Sequence, residues 1–274
     1  GDVFTLGLPI NNPEGDPVDS IRTETEHHMS VDKGNFTSGK WDLEGTGGLE
    51  FADDIIYAYT HGTTHVDALG HTWYDDKIYN GFDASSTMGG LEHCDVKPLA
   101  EHGVIGKGVL LDIARHRNVD HLERGAQITL DELLECANEQ ETEISKRDII
   151  VLRTGWIEVF YEEGPDAFFG ENEYNEPGIT ATDAILNWFY EMQIPVLSTD
   201  SMANEQYVSE ATGTGLPLHA ALLRDQGVLF NEMNWLTELA EDCANDGQYE
   251  FLFMMSPLKI HEGVGSPVNP IVVK

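Results

Sequence analysis

Basic residues and long apolar runs are both scarce in this chain. Its 274 residues include 15 Lys and Arg against 49 Asp and Glu, which gives a formal net charge of -34. Binding to the phosphates of nucleic acid needs a stripe of cations that releases counterions, so the composition argues against a nucleic-acid partner. No apolar run approaches the ~18 to 20 residues that span a membrane, and no basic segment followed by an apolar one opens the sequence. We expect neither a membrane partner nor an export signal.

Cysteine is scarce as well, with Cys94, Cys136 and Cys243 the only three. None of them has CxxC spacing, and three cysteines cannot all pair within one chain. A structure that depended on disulfides would use an even set in an oxidising compartment. The sequence therefore predicts a reduced, cytoplasmic location.

The acidic residues are dispersed along the chain instead of forming a tail. A surface of this charge repels itself at low ionic strength, whereas salt with a Debye length of ~3 Å at 1 M screens the repulsion. We interpret the excess as an adaptation to concentrated salt, that is, a halophilic protein. The alternative interpretation is an ordinary acidic bacterial protein.

Apolar patterning predicts alternating strands and helices. Strands are expected at 51–59, 104–113, 147–153, 195–198, 228–230 and 249–255, and a turn at 263–267 before a terminal strand. Helices are expected from Thr129 and from Thr180, which are followed three residues later by Glu132 and Asp183, and over 218–224 up to Gly227. These elements predict a single α/β domain with a mixed central sheet flanked by helices. We assign residues 1–50 to an extended N-terminal arm packed on a domain of residues 51–274.

Four potential metal-binding or proton-transfer residues lie within eleven positions directly after a predicted strand: His61, His65, Asp67 and His71. Two imidazoles and a carboxylate suit Zn²⁺, Mn²⁺ or Fe²⁺, and three protein ligands leave a position for water, as catalytic sites do. The alternative is a set of unrelated loop histidines, since the chain has eleven. The clustering favours a metal site at the end of the strand or in the turn after it.

The segment 61–71, His-Gly-Thr-Thr-His-Val-Asp-Ala-Leu-Gly-His, resembles the signature of the metal-dependent cyclase-like hydrolases. This family includes bacterial kynurenine formamidase, isatin hydrolase and a trans-dienelactone hydrolase. Segment 148–156 is similar to the family's central strand and turn, and 258–260 with 265–270 to its closing segment. The formamidase branch has His-x-Gly-Thr-His and a proline two residues after its aspartate, where this chain has His-Gly-Thr-Thr-His and Leu69. Kynurenine specificity is therefore not implied.

The resemblance implies a swivelling β/β/α fold that assembles as a homodimer or homotetramer. It also implies that His61, His65 and Asp67 bind a divalent metal ion, Mn²⁺ or Zn²⁺, and that His71 is the general acid/base.

A distal pair, His219 and Glu232, is implied by the same resemblance. In the formamidase branch such a pair completes a two-ion site with Asp67 as the bridge, whereas one ion is enough in the isatin hydrolase branch. We expect one or two ions per chain and assign Glu232 to catalysis beside the nucleophilic water. The alternatives are a helix first-turn residue for His219 and a solvated acid for Glu232.

These residues together predict a hydrolase that cleaves an amide, lactam or lactone bond of a small molecule. A bound divalent ion polarises a carbonyl and lowers the pKa of water from 15.7 towards about 7, and His71 would transfer the proton to the leaving atom. Aromatic residues after His71 would either wall a substrate pocket or pack in the core: Trp73, Tyr74, Tyr79 and Phe82. Two other functions stay open, a metal-dependent lyase or cyclase and a non-catalytic metal-binding or ligand-binding module.

Overall fold

Thirteen strands form within the residues that the computed structural model describes, which are 1–41, 44–45, 47–170, 175–209 and 213–274. Their bounds are β1 (Val3–Thr5), β2 (Glu26–Val31), β3 (Asp53–Tyr57), β4 (His65–Asp67), β5 (Val104–Asp112), β6 (Gln127–Ile128), β7 (Ile149–Arg153), β8 (Gly178–Ile179), β9 (Val196–Thr199), β10 (Leu229–Glu232), β11 (Glu250–Met255), β12 (Gly265–Pro267) and β13 (Ile271–Val273).

Nine of these strands form one sheet in the order β1-β13-β11-β5-β7-β9-β10-β4-β12. The middle four, β5, β7, β9 and β10, are parallel to one another. The strands on both sides of them pair antiparallel. The predicted mixed central sheet is confirmed. In the described part of the chain, β2 pairs only with β3, in a separate ribbon, and β6 pairs with β8.

Helices cover both faces of the central sheet. Their bounds are α1 (Lys33–Thr37), α2 (Lys97–His102), α3 (Ile113–His116), α4 (Leu130–Glu139), α5 (Trp156–Glu162), α6 (Pro165–Phe169), α7 (Asp183–Met192) and α8 (Thr237–Asp246), with a π-helix at His219–Gln226 and 3₁₀ turns at Tyr79–Gly81 and Ala84–Thr87. None of the described helices combines the length and the apolar character needed to cross a membrane.

Alternate residues of the parallel strands belong to two hydrophobic layers, one on each face of the sheet. Leu111 and Ile150 belong to a layer that includes residues of α4, α7 and the π-helix. Leu110 and Val151 belong to the opposite layer, which includes residues of α8. Because both faces are covered, the parallel strands are almost continuously aliphatic, as in other parallel sheets. That composition is why the sequence identified β5 and β7.

Helix starts follow side-chain caps. The Thr129 hydroxyl accepts a hydrogen bond from the backbone N–H of Glu132 at 3.3 Å, so α4 begins where predicted. The start of α7 was predicted wrongly: its N-cap is Thr182, not Thr180. The Thr180 hydroxyl instead donates to the carbonyl of Ile128, which ties it to the β6–β8 pair.

Two segments near the metal-site motif differ from expectation. β3 lies within the predicted strand at 51–59, but it pairs with β2 in an exposed ribbon outside the central sheet. Residues 265–267 form β12 on the far side of β4, where a turn was predicted. The division of the chain at residue 50 stays a prediction; β1 is itself a strand of the central sheet.

Candidate metal centre

Strand β4 places His65 and Asp67 on one face of the sheet. Side chains alternate along a strand, so His65 and Asp67 point to the same side, and Val66 points into the apolar layer that contains Leu110. His61 precedes the strand, in a turn where the Gly62 N–H donates to the carbonyl of residue 59. The cluster therefore occupies both the turn and the strand itself.

The first group of donor atoms comprises His61, His65 and Asp67. The Nε2 atoms of His61 and His65 lie 3.2 and 3.4 Å from Oδ1 of Asp67. All three side chains are buried, and one ligand atom from each lies within 4.8 Å of the others. The structure thus brings together the three residues that the motif identified.

A second group shares Asp67 with the first and adds His219 and Glu232. His219 begins the π-helix, and its Nε2 lies 3.6 Å from Oδ2 of Asp67 and 3.6 Å from Oε1 of Glu232. Glu232 ends β10, and its Oε2 lies 3.1 Å from Nε2 of His65. Glu232 is only 3% exposed, so it is not a solvated acid. The geometry groups it with the candidate ligands.

Outer hydrogen bonds orient the histidine rings. Nδ1 of His65 lies 2.7 Å from the carbonyl oxygen of Thr63, which can only accept. Nδ1 of His219 lies 2.7 Å from a carboxylate oxygen of Glu205, and Nδ1 of His61 lies 3.0 Å from a neighbouring threonine hydroxyl. A proton on Nδ1 leaves the Nε2 lone pair free. The rings therefore present Nε2 to the centre of the cluster.

Unsatisfied buried atoms mark this centre. Nε2 of His61 and both carboxylate oxygens of Asp67 are buried, and although they lie close to one another, none has a partner in hydrogen-bonding geometry among the described residues. Leaving a buried polar group unpaired costs about 1–3 kcal/mol, and more when the group is charged. Imidazole nitrogens and carboxylate oxygens are ligands of Zn²⁺ and Mn²⁺, so a divalent cation at this centre would satisfy these atoms. The residues present fit such an ion.

The electrostatics of the cluster favour an ionised Asp67. Burial raises the pKa of Asp67, but the surrounding histidines, His71 and His219 foremost, outweigh burial and hold this pKa well below its usual range. Burial raises the pKa of Glu232, and the nearby Asp67 raises it further. An ionised carboxylate between the two groups is suited to contact an ion in either of them.

His71 lies beside the cluster rather than in it. Its ring stacks on His61 with 4.3 Å between the centroids, and its centroid is 6.3 Å from that of His219. Neither ring nitrogen of His71 is hydrogen-bonded to any described residue. Burial lowers the pKa of His71 to about 3; Asp67 opposes this shift and the nearby histidines add to it. The ring is therefore neutral at neutral pH.

The aromatic residues expected to wall a pocket lie at 73–82, just after His71: Trp73, Tyr74, Tyr79 and Phe82. The Tyr74 hydroxyl donates to Asp225 at 2.7 Å, and Phe82 stacks on His93 at 4.2 Å between centroids. Tyr79 lies against Gly227 at the end of the π-helix. Trp73 is 50% exposed. A role in substrate binding stays a prediction for all four.

Two buried residues that sequence reasoning missed complete the surroundings of the cluster. Asn204 donates from Nδ2 to Oε1 of Glu232 at 2.9 Å. Glu205 accepts from His219, as described above. Both are fully buried, but they lie in a short polar run without ligand spacing, so no sequence signal distinguishes them from surface residues.

The model of the family described as "Putative cyclase" matches residues 12–206, well over half of the chain. The chain belongs to the cyclase family. This family membership confirms the resemblance that the 61–71 motif carries. Comparison with curated proteins gives no match.

Solved structures agree with this cyclase-family assignment. The chain is 34% identical to a structure described as a novel cyclase, with a TM-score of 0.87, covering 100% of this chain and 89% of that one. Isatin hydrolase A from Ralstonia solanacearum is 17% identical, with a TM-score of 0.70 and 99% and 91% of the two chains covered. A predicted metal-dependent hydrolase from Bacillus stearothermophilus is 16% identical, with a TM-score of 0.58 and 99% and 97% covered. The last two likenesses show the fold alone.

Proposed function

We propose that this cyclase-family protein is a divalent-metal-dependent hydrolase that opens the amide, lactam or lactone bond of a small molecule. The observation that carries the proposal is a cluster of buried ligand atoms. Nε2 of His61 and both oxygens of Asp67, which have no hydrogen bond among the described residues, lie beside ligand atoms of His65, His219 and Glu232. The likeness to a structure named isatin hydrolase A supports hydrolysis, and the likeness to one described as a predicted metal-dependent hydrolase supports the ion.

In this proposal the ligand residues hold the ion and His71 moves the proton. A bound divalent cation supplies a Lewis acid that polarises a carbonyl and lowers the pKa of water from 15.7 towards about 7. His65 and His219 are held with Nε2 inward by their Nδ1 hydrogen bonds. The His71 ring is neutral, stacked on His61 and free of hydrogen bonds to described residues, so it can accept a proton from attacking water. Its lowered pKa makes this uptake transient and favours passing the proton on to the leaving nitrogen or oxygen.

Hydrolysis in ¹⁸O water tests the reaction type. The metal-loaded protein is incubated with lactams, formamides and lactones, and the mass of the acid product is measured by mass spectrometry. Hydrolysis puts one ¹⁸O into the new carboxylate. An unlabelled product would instead show a lyase or cyclase, and a protein that binds metal without turning over any member of the panel would favour a binding module.

Variants of His71 test the proton-transfer role. We expect His71→Ala to keep its bound metal and to lose about 10²- to 10⁴-fold in turnover, the usual contribution of general acid/base catalysis. His102→Ala is the matched control, because His102 is exposed on α2 and, among the described residues, its ring hydrogen-bonds only the carbonyl of Pro98. Loss of metal in His71→Ala would contradict the assignment of His71 to proton transfer.

A further inference from the structure

Glu205 is a buried carboxylate directly behind His219. Its Oε1 lies 2.7 Å from Nδ1 of His219 and accepts the backbone N–H of the same residue at 2.9 Å. Its Oε2 accepts the backbone N–H of Leu218. The side chain has no exposed surface. Three donors on two adjacent residues therefore fix the carboxylate and the imidazole relative to each other.

This support differs from that of the other two histidines in the cluster. Nδ1 of His61 faces the hydroxyl of Thr60, and Nδ1 of His65 faces the carbonyl of Thr63, so both partners are neutral. Within the described part of the cluster, only His219 has a carboxylate at Nδ1. A carboxylate binds the Nδ1–H more strongly than a neutral oxygen, and it makes Nε2 a better electron donor.

The remaining contacts of His219 show where its Nε2 atom points. Its Nε2 lies 3.6 Å from oxygens of both Asp67 and Glu232, the other two members of the second group. Rotation of the ring away from Glu205 would break the hydrogen bond at Nδ1 and move Nε2 out of this group. The orientation of the ring is thus coupled to the position of Glu205.

We propose that Glu205 is a positioning residue, which fixes the tautomer and orientation of His219 and strengthens the hold of Asp67, His219 and Glu232 on a divalent cation. The metal part of this inference rests on the proposed function. The part that concerns the ring does not, because it follows from the Glu205–His219 contact itself.

Glu205 also caps the start of the π-helix through two backbone N–H groups, so its structural role has to be separated from its effect on the ring. Glu176 provides the matched control. It is equally long, 3% exposed, and accepts the backbone N–H of Met202 at 2.7 Å; among the described residues it hydrogen-bonds no candidate ligand, and it acts on the cluster only through charge repulsion with Glu232. Comparing Glu205→Gln with Glu176→Gln isolates the contact with His219.

The first readout is the Nδ1–H resonance of His219 in metal-free protein labelled with ¹⁵N-histidine. His219→Ala assigns the resonance by removing it. We expect a strongly downfield proton in the parent, because the acceptor is a carboxylate, an upfield shift in Glu205→Gln, and no change in Glu176→Gln. An equal resonance in the parent and in Glu205→Gln would overturn the inference.

The second readout is the affinity for Mn²⁺ and Zn²⁺, measured by titration. Changes in the groups that orient metal ligands typically cost 10- to 100-fold, so we expect Glu205→Gln to bind about 10- to 100-fold more weakly than Glu176→Gln. Glu205→Asp keeps the charge and should recover part of the affinity, and it serves if Glu205→Gln does not fold. Equal affinities in the two Gln variants would overturn the metal part. A parent that binds neither ion would overturn the proposed function, while the resonance still decides whether Glu205 holds the ring.

Discussion

Gly265 is predicted to be essential for the position of His61. A Cβ atom at residue 265 would lie 2.4 Å from Nε2, 2.8 Å from Cε1 and 3.1 Å from Cδ2 of the His61 ring. The closest of these contacts is about 1 Å shorter than ordinary van der Waals contact. Gly265 is paired with Asp67 in the sheet, so a retreat of the β12 backbone would disturb the strand that carries Asp67. In Gly265→Ala either the ring of His61 or this pairing with Asp67 must therefore shift.

The expected result is a loss of metal affinity that exceeds the loss of stability. Overpacking costs about 1–3 kcal/mol, whereas misplacing Nε2 of a ligand is expected to weaken metal binding by about 10- to 100-fold. Thermal unfolding of the metal-free protein and titration with Mn²⁺ and Zn²⁺ measure the two effects separately.

Gly263→Ala is the control, since a Cβ there would meet Ile260 at 2.8 Å and Val96 at 3.2 Å but no candidate ligand. We expect it to lose stability by a similar amount and to bind metal normally. Metal affinity in Gly265→Ala equal to that of Gly263→Ala would refute the reasoning.

Two further predictions concern stability. Burial raises the pKa of Glu176 from 4.5 to about 8. A carboxyl group with a raised pKa in the folded state contributes stability that is complete below pH 4.5 and is lost as the pH rises through about 8. The melting temperature of the parent should therefore fall relative to that of Glu176→Gln between these pH values, and parallel curves would contradict this. The net charge of -34 predicts that the melting temperature rises with KCl as the Debye length shrinks from about 10 Å at 0.1 M to about 3 Å at 1 M, and a flat curve would contradict a halophilic adaptation.

Local patterns predicted much of the fold. The cap of α4 depends on contacts within a few residues, and the aliphatic runs of β5 and β7 reflect burial of both strand faces. Both features leave a signal in the sequence. The prediction for the start of α7 was wrong because Thr180 and Thr182 are both residue types that cap helices. Thr182 is the N-cap, since the Thr180 hydroxyl donates to the distant carbonyl of Ile128 instead.

Long-range pairing explains what the sequence could not predict. β12 looks like a turn because it contains glycine and proline, and it becomes a strand only through its partner β4. The π-helix that begins at His219 has no periodicity that distinguishes it from a short α-helix. The cluster at 61–71 was identified because its donors are close in sequence. Glu205 was missed because it approaches His219 only in the folded chain.

Metal content per chain, measured on protein purified in high salt, tests the central claim most directly. The parent should carry about one or two equivalents of Mn²⁺ or Zn²⁺, and His65→Ala and Asp67→Ala should lose them while His102→Ala keeps them. A parent without bound metal, even after reconstitution with both ions, would contradict the assignment of this cluster as a metal centre and the hydrolase proposed from it.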